Sequence, residues 1–243
     1  MSESELSLPG WQTAPAALTL NTGDVHLWLL LDGALTAAAQ HQHLLTHDEQ
    51  ERAARLVLGR ARAFIGTRAT LRILLARYTS ESPGGIRFSY GPLGKPAFDA
   101  GGVHFSISHA GDRALLAFSR SSAVGVDLER VRTHRRFDAL TARFFSADNA
   151  RTIARAAPSE LPRVFAEAWA QREAYVKAVG GGLYATADVL AFTPGRIPLQ
   201  HIRSGGDMWS IASVDAGRDY EGKLVADGTP AGLMHYTIDD SRR

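Results

Sequence analysis

Hydrophobic and polar positions repeat along this chain with two different periods, which separate predicted strands from predicted helices. The run Val25–Leu31 is apolar apart from His26 and is typical of a buried strand. Residues 103–109 alternate between apolar and polar, and an apolar run over 114–118 follows a glycine-containing turn. This arrangement predicts a β-hairpin.

A second alternating segment, 124–129, predicts a strand that carries acids on one face. Asp127 and Glu129 are two positions apart, so in a strand both project from the same face, about 7 Å apart. An edge strand with a solvated acidic face is one interpretation. The two carboxylates also supply half of a site for a hard cation such as magnesium.

The helical period is clearest over 161–179. Pro162 is tolerated in a first helical turn, and Gly180–Gly182 predicts the end of the helix. At about 100° per residue, one stripe is predicted to be buried. The stripe contains Phe165, Trp169, Val176 and Val179.

Three charged residues of this helix lie in or beside the predicted stripe. Arg172 falls inside it, and Glu173 and Lys177 form an i,i+4 pair along its border. Such a pair is often an ordinary surface ion pair. Charges at the edge of a buried face are usually partnered, so we regard the cluster as a candidate site.

A long arginine-rich helical region is predicted after Thr46. Thr46 and Glu49 have the spacing of a capping box at a helix start. The apolar side of the region consists of Phe64, Leu71, Leu74 and Leu75, and the cationic side consists of Arg52, Arg55, Arg60, Arg62, Arg68 and Arg72. We expect most of these arginines to face water.

Composition limits the classes of protein to consider. The chain has 243 residues, 45% of them hydrophobic, which suffices for one large domain or two small ones. It has no cysteine, which excludes disulfides, thiolate metal sites and a cysteine nucleophile. No secretory leader or membrane-spanning run is recognised, so a cytoplasmic protein is expected. The net charge of +2 is too small to indicate nucleic acid binding.

Polar residues on turns and strand ends are candidates for phosphate binding. Arginine is the common cation of this chain, whereas lysine occurs at Lys95, Lys177 and Lys223. A compact ammonium suits a single phosphate oxygen, and Lys95 lies in a turn rich in glycine and proline. Ser108 and His109 precede another glycine turn, where their side chains can donate hydrogen bonds to a phosphate.

Four motifs occur in the order and spacing typical of one enzyme family. They are Gly94-Lys95-Pro96, Phe105-Ser106-Ile107-Ser108-His109, Gly125-Val126-Asp127 and Trp169-x-x-Arg172-Glu173-Ala174-x-x-Lys177. Over residues 46–184 the chain resembles the Sfp-type 4′-phosphopantetheinyl transferases. It departs from that pattern at Arg172, where the family usually has lysine, and at Ala170, where the family often has a small hydroxyl or thiol residue.

The resemblance implies a monomeric α/β (α+β) enzyme of two similar subdomains with a pseudo-twofold relation. Each subdomain would be a small, mainly antiparallel sheet packed with helices, with the active site in the cleft between them. We expect 1–122 to form the subdomain that contributes to coenzyme A binding and 123–243 to carry the metal and catalytic motifs. The similarity of 209–219 to 105–113 is consistent with two related halves.

The resemblance also implies the reaction. The 4′-phosphopantetheine arm of coenzyme A would be transferred to a serine of an apo acyl or peptidyl carrier protein, releasing adenosine 3′,5′-bisphosphate. Asp127, Glu129 and Glu173 would hold Mg²⁺ on the pyrophosphate, and Lys177 would stabilise the same phosphates. Glu173, or a water that it orients, would accept the serine proton, so its ligand and base roles both stay open.

Lys95, Ser108 and His109 resemble the residues that grip the phosphates of coenzyme A. Arg62 is the candidate for a further coenzyme A contact, and Arg68 competes with it. Carrier proteins in this family are acidic, so a basic loop after the acidic strand is expected either to steer them or to be merely solvated. That loop contains Arg130, Arg132, Arg135 and Arg136. Fatty acid, polyketide and nonribosomal peptide carriers all fit.

Two other functions would use the same residues. A metal-dependent nuclease or phosphodiesterase also gathers carboxylates and a lysine around magnesium. A non-catalytic nucleotide-binding protein would merely pair these charges. The sequence has no strong basic stripe interleaved with aromatic residues, which argues against a nucleic acid partner, and it indicates no membrane partner.

Overall fold

The computed structural model describes residues 8–133, 137–181, 190–204 and 206–238. The chain forms two compact units. The first unit contains Gly10–Ser121 and the described part of Ala231–Arg243, and the second unit contains Ser122–Pro230. Within the described residues, no helix combines the length and the apolar character needed to cross a membrane.

Strands and helices of both units are short, apart from two long helices. The strands are β1 (Gln12–Thr13), β2 (Asp24–Leu30), β3 (Phe88–Tyr90), β4 (Pro96–Phe98), β5 (His104–Ala110), β6 (Arg113–Ser119), β7 (Val124–Arg130), β8 (Gln200–Ser204), β9 (Asp207–Val214), β10 (Tyr220–Asp227) and β11 (Gly232–Thr237). The helices are α1 (Asp32–Ala39), α2 (His47–Ala54), α3 (Leu58–Tyr78), α4 (Phe137–Phe144), α5 (Ala147–Ala154) and α6 (Leu161–Val179).

The first unit is built on a five-stranded sheet in the order β1-β11-β2-β6-β5. The predicted buried strand is β2, and the predicted hairpin is the antiparallel pair β5 and β6. The C-terminal strand β11 runs parallel to β2 and inserts beside it. Buried side chains of α3, including Leu71 and Leu75, join those of the sheet in one core.

The second unit is built on an antiparallel sheet in the order β7-β10-β9-β8. Strand β7 therefore lies at an edge, but the interpretation of its acidic face as solvated is wrong at Asp127, which is 5% exposed. The long helix α6 packs on β7 and β10. The two units share further features that support the predicted mixed α and β fold class: each has a hairpin and a capped short helix that precedes a long one.

The predicted capping box of α2 is confirmed, because the Thr46 side chain accepts a hydrogen bond from the Glu49 backbone while the Glu49 side chain accepts one from the Thr46 backbone. Helix α6 has the predicted bounds and ends at Gly180, whose φ of 73° lies in the left-handed region that glycine adopts readily. Gly182 lies outside the described residues.

The predicted buried stripe of α6 is correct in its centre and wrong at its C-terminal end. Phe165 and Val176 are buried, whereas Val179 is 43% exposed and Trp169 is only partly buried. The face that packs against the sheet is formed mainly by small residues. They are Ala170, Ala174 and Ala178, each nearly inaccessible to solvent.

Candidate active site

The close approach of α6 to β7 depends on a glycine. A Cβ atom on Gly125 would lie 1.9 Å from the Ala174 carbonyl oxygen and 2.5 Å from the Ala178 nitrogen. Both are backbone atoms of α6, so no side-chain rotation could relieve the overlap. Gly125 and Asp127 point to the same face of β7, so the glycine lets the helix backbone come close to the strand that carries the acid.

Asp127 and Lys177 form the ion pair at the centre of the site. The Lys177 Nζ atom donates to Asp127 Oδ1 at 2.7 Å. Asp127 is 5% exposed, and Lys177 is partly buried. The sequence placed Lys177 beside Glu173 on the helix, but this contact instead joins the helix to the strand.

Glu173 is held by its neighbour Arg172. Arg172 Nη1 donates to Glu173 Oε1 at 2.6 Å, and Arg172 Nε donates to the Phe144 carbonyl oxygen at 3.1 Å. The buried guanidinium also lies 5.0 Å from the Phe144 ring centroid and 5.7 Å from that of Trp169. The prediction that Arg172 lies within the buried stripe is confirmed. These contacts fix Arg172, and through it the Glu173 carboxylate.

Negative charge accumulates where β7 and α6 meet. Burial, together with the charges of Asp127 and Glu173, raises the pKa of Glu129 to about 7, with Lys177 opposing the shift. Burial and the charge of Asp127 also raise the pKa of Glu173, although Arg172 and Lys177 oppose it. The three predicted acids are therefore close enough to repel one another, which is the electrostatic setting that a cation would relieve.

The carboxylates suit magnesium by chemical type, but they are not arranged as a complete metal cage. Among the residues that the structure describes, no group of three or more metal-type side chains converges closely enough to hold an ion. Asp127 and Glu173 are each engaged with a cation of α6 instead. Since magnesium commonly takes only one or two protein carboxylates plus phosphates and water, this donor set fits an ion that arrives with a phosphorylated substrate.

The candidate phosphate-binding residues Lys95, Ser108 and His109 all belong to the first unit. Lys95 lies in the predicted turn before β4, and burial lowers its pKa. Ser108 and His109 are consecutive in β5, so their side chains point to opposite faces of the strand. Ser108 is buried and His109 is exposed, and the structure does not bring the pair together on one face.

The two competing arginines differ sharply in environment. Arg62 is exposed, whereas Arg68 is 5% exposed and Arg72 is fully buried. The expectation that most arginines of this region face water is confirmed for Arg52, Arg55, Arg60 and Arg62, and Arg68 and Arg72 are the buried exceptions. Both lie near Glu49: Arg72 Nη2 donates to Glu49 Oε2 at 2.8 Å, and Arg68 Nε is 3.7 Å from Glu49 Oε1.

These arginines line a cavity of about 320 Å³ in the first unit. Its walls are Thr46, Asp48, Glu49, Arg52, Phe64, Arg68, Arg72, Arg87, Phe88 and Tyr90. The Arg68 guanidinium lies 5.8 Å from the Phe64 ring centroid and 5.6 Å from that of Phe88. Within the described part of the chain, Arg68 Nε and Nη1 have no hydrogen-bond partner. Buried unused donors of a cation are suited to an anionic ligand.

The sequence missed this cavity because helical periodicity does not show what faces a helix from elsewhere. Phe88 and Arg87 come from the segment at β3, and Glu49 comes from α2. The sequence feature that could have indicated the cavity was the i,i+4 spacing of Arg68 and Arg72 beside apolar residues of the same helix.

The family model and the similar proteins that match this chain all belong to one family. The 4′-phosphopantetheinyl transferase superfamily matches residues 123–223, which include β7 and α6. The chain is 31% identical over 191 residues to the 4′-phosphopantetheinyl transferase HetI of Nostoc sp. (strain PCC 7120), covering 76% of this chain and 81% of that protein. It is 33% identical over 124 residues to the 4′-phosphopantetheinyl transferase AcpT of Salmonella typhimurium, covering 51% of this chain and 63% of that protein.

Proposed function

This chain belongs to the 4′-phosphopantetheinyl transferase superfamily and is an enzyme, and we propose that it transfers the 4′-phosphopantetheine arm of coenzyme A to a serine of an apo acyl or peptidyl carrier protein. The main support from the structure is the pairing of β7 with α6. That pairing gathers Asp127, Glu129 and Glu173 beside Lys177 in the segment that the superfamily matches.

The proposed reaction is a phosphoryl-type transfer at the pyrophosphate of coenzyme A. The carrier serine oxygen forms a new P–O bond to the phosphorus that bears the pantetheine arm. The P–O bond to the adenosine bisphosphate breaks, and its electron pair leaves with that product. The serine proton goes to a base. Glu173 is our candidate, because its raised pKa makes it a better proton acceptor than an ordinary carboxylate.

Lys177 has the second catalytic role in this proposal. Its ammonium carries three donors, and the described contact uses one of them on Asp127 at 2.7 Å. The remaining donors can stabilise charge on the phosphate oxygens. Asp127 holds the ammonium in place, so this residue acts on the reaction both through Lys177 and as a metal ligand.

Asp127, Glu129 and Glu173 are the residues that we propose to hold Mg²⁺ when coenzyme A binds. The ion would neutralise charge on the pyrophosphate oxygens. The support is the chemistry of the donors and their mutual repulsion, which adds to burial in raising the pKa of Glu129 to about 7. Arg172 holds Glu173 and Lys177 holds Asp127, so the ion would share both carboxylates with cations of α6.

Coenzyme A also needs partners for its other phosphates. We assign Lys95, Ser108 and His109 to them on the basis of the motif matches, and we assign Arg68 from its unused buried donors. The aromatic rings of Phe64 and Phe88 beside Arg68 offer flat apolar surfaces next to the cation. Arg62 is exposed and stays a weaker candidate for the same ligand.

The carrier is the second substrate. Arg130 and Arg132 follow the acidic strand and are exposed, which suits electrostatic steering of an acidic protein, whereas Arg135 and Arg136 lie outside the described residues. The proposal covers carriers of the fatty acid, polyketide and nonribosomal peptide types. We also propose that the enzyme is a monomer, which analytical ultracentrifugation would test.

A mass measurement tests the proposed function. The protein is mixed with coenzyme A, magnesium and purified apo acyl or peptidyl carrier proteins, and the intact mass of each carrier is followed. We expect a gain equal to one phosphopantetheine arm and formation of adenosine 3′,5′-bisphosphate in equal amount. The gain should be absent from a carrier whose acceptor serine is replaced by alanine. Cleavage of DNA or RNA without any carrier mass gain would instead identify a nuclease.

A further inference from the structure

Two neighbouring apolar side chains are exposed at the corner between α2 and α3. Val57 is 71% exposed and Leu58 is 87% exposed, the largest exposures among the large hydrophobic residues described. They are consecutive in the sequence, so both apolar side chains are exposed at the same corner. We call Arg55, Val57, Leu58 and Arg60 the 55–60 corner. Single exposed apolar residues are common, but a pair this exposed at one corner requires an explanation.

Local helix stability does not explain the pair. Val57 occupies the N-cap position of α3 without a side-chain hydrogen bond, and the first turn contains no acid. Serine, threonine or aspartate at that position would stabilise the helix. The same chain uses such caps elsewhere, at Thr46 of α2 and Ser146 of α5. Because α1 and α6 also begin without a side-chain cap, the missing cap alone does not mark the corner, and the exposure of two adjacent large apolar side chains is the feature that needs a functional explanation.

The charge around the pair is positive. Arg55 and Arg60 are both exposed and stand on either side of the apolar residues in the sequence. Arg55 pairs with Glu51 at 3.3 Å, but both side chains are largely exposed, so water screens that contact. Arg60 lies within the first turn of α3, where a cation is unfavourable for the helix dipole. Exposed apolar residues flanked in the sequence by exposed arginines complement an acidic surface with an apolar recess.

We propose that the 55–60 corner is a docking surface for the carrier protein, contacting an acidic face of it through Arg55 and Arg60 and an apolar recess through Val57 and Leu58. This inference rests on the proposed function, since only a protein substrate calls for such a surface. A membrane is a poorer occupant, because two side chains bury far less apolar material than even a single acyl chain, which itself binds only marginally.

Steady-state kinetics with each substrate varied in turn test the docking surface. Leu58→Ser should raise the KM for the carrier about tenfold, which is the effect of removing one interface anchor. The KM for coenzyme A and the melting temperature should be unchanged, since the side chain is exposed. Arg60→Glu should also raise the carrier KM, with a larger effect at low salt than at high salt. Arg203→Glu reverses an exposed charge on β8 and serves as the matched control.

Direct binding separates this proposal from the proposed function. Fluorescently labelled apo acyl carrier protein and apo peptidyl carrier domain are titrated with each variant by anisotropy, without coenzyme A. Weaker binding by Leu58→Ser and Arg60→Glu, but not by Arg203→Glu, supports docking at this corner even if no transfer occurs. Wild-type affinity and carrier KM in both corner variants overturn it. Failure of the wild type to bind either carrier, or loss of anionic vesicle binding in Leu58→Ser with an unchanged carrier KM, also overturns it.

Discussion

Replacing Gly125 by alanine should damage catalysis through backbone packing alone. The added Cβ would lie 1.9 Å from the Ala174 oxygen, whereas ordinary contact begins at 3.4 Å, so the helix or strand must move by about 1.5 Å. A shift of that size exceeds the tolerance of the 2.7 Å contact between Lys177 Nζ and Asp127 Oδ1. The same shift would carry Glu173, which lies on the same helix.

The expected effects on activity and stability differ in size. Misplacing a catalytic group by about 1 Å costs about 100-fold in rate, so we expect kcat/KM for transfer to fall by at least that factor. Overpacking costs about 1–3 kcal/mol, and the lower backbone freedom of alanine returns about 0.5–1 kcal/mol. The free energy of unfolding should therefore fall by up to about 2.5 kcal/mol, which lowers the melting temperature by up to about 10 °C.

Carrier mass gain measures activity, and urea unfolding measures stability. Gly33→Ala is the matched control, because Gly33 lies within α1 and a Cβ there meets nothing within 4 Å. That variant should keep full activity and gain about 0.5–1 kcal/mol, since alanine favours helix over glycine. If Gly125→Ala retained wild-type kcat/KM and melting temperature, the close packing of α6 on β7 would be refuted.

Four other predictions follow from the described contacts. Asp127→Ala should lower transfer by about 10²–10³-fold with little change in melting temperature, and wild-type turnover would remove Asp127 from the site. Trp169→Ala should destabilise the protein by about 3 kcal/mol in urea unfolding, because the ring packs with Phe144, Phe145 and Phe165. Chelation of divalent ions should stop transfer and added magnesium should restore it, whereas turnover in excess chelator would contradict the proposed metal role. Burial lowers the pKa of His26 below its ordinary 6.5 despite Asp24, so the unfolded chain is protonated first and the contribution of His26 to the free energy of unfolding should fall as the pH drops below about 6.5. His26→Phe should remove that contribution, whereas those of His235, whose pKa burial also lowers, and of Glu129, whose raised pKa acts with the opposite sign, should persist in both proteins.

Elements governed by local signals could be predicted from the sequence. The bounds of α6, the Thr46 capping box and the β5–β6 hairpin depend on residues within a few positions of one another, and the structure has all three. The alternation that places Asp127 and Glu129 on one face of β7 is likewise local. Such features can be predicted from residue propensities and from the period of apolar positions, both of which a single sequence contains.

Elements governed by contacts between distant residues could not be predicted from the sequence. Nothing near Gly232–Thr237 indicates that this strand inserts parallel to β2. The burial of Arg68 depends on Glu49 and on Phe88, which reach it from separate elements. Val179 has the apolar character of a core residue but lies at the last position of α6, where it is exposed. In each case the decisive neighbour is remote in sequence.

The charge at the junction of β7 and α6 explains why an anionic substrate would need a cation in this site. Asp127, Glu129 and Glu173 can together carry three negative charges, while Arg172 and Lys177 supply two positive ones. The site is therefore already negative when its acids are ionised, and a pyrophosphate alone would add repulsion. A divalent ion held by Asp127 and Glu129 would offset that negative charge. Lys177 would then be available to the phosphate oxygens as charge develops on them.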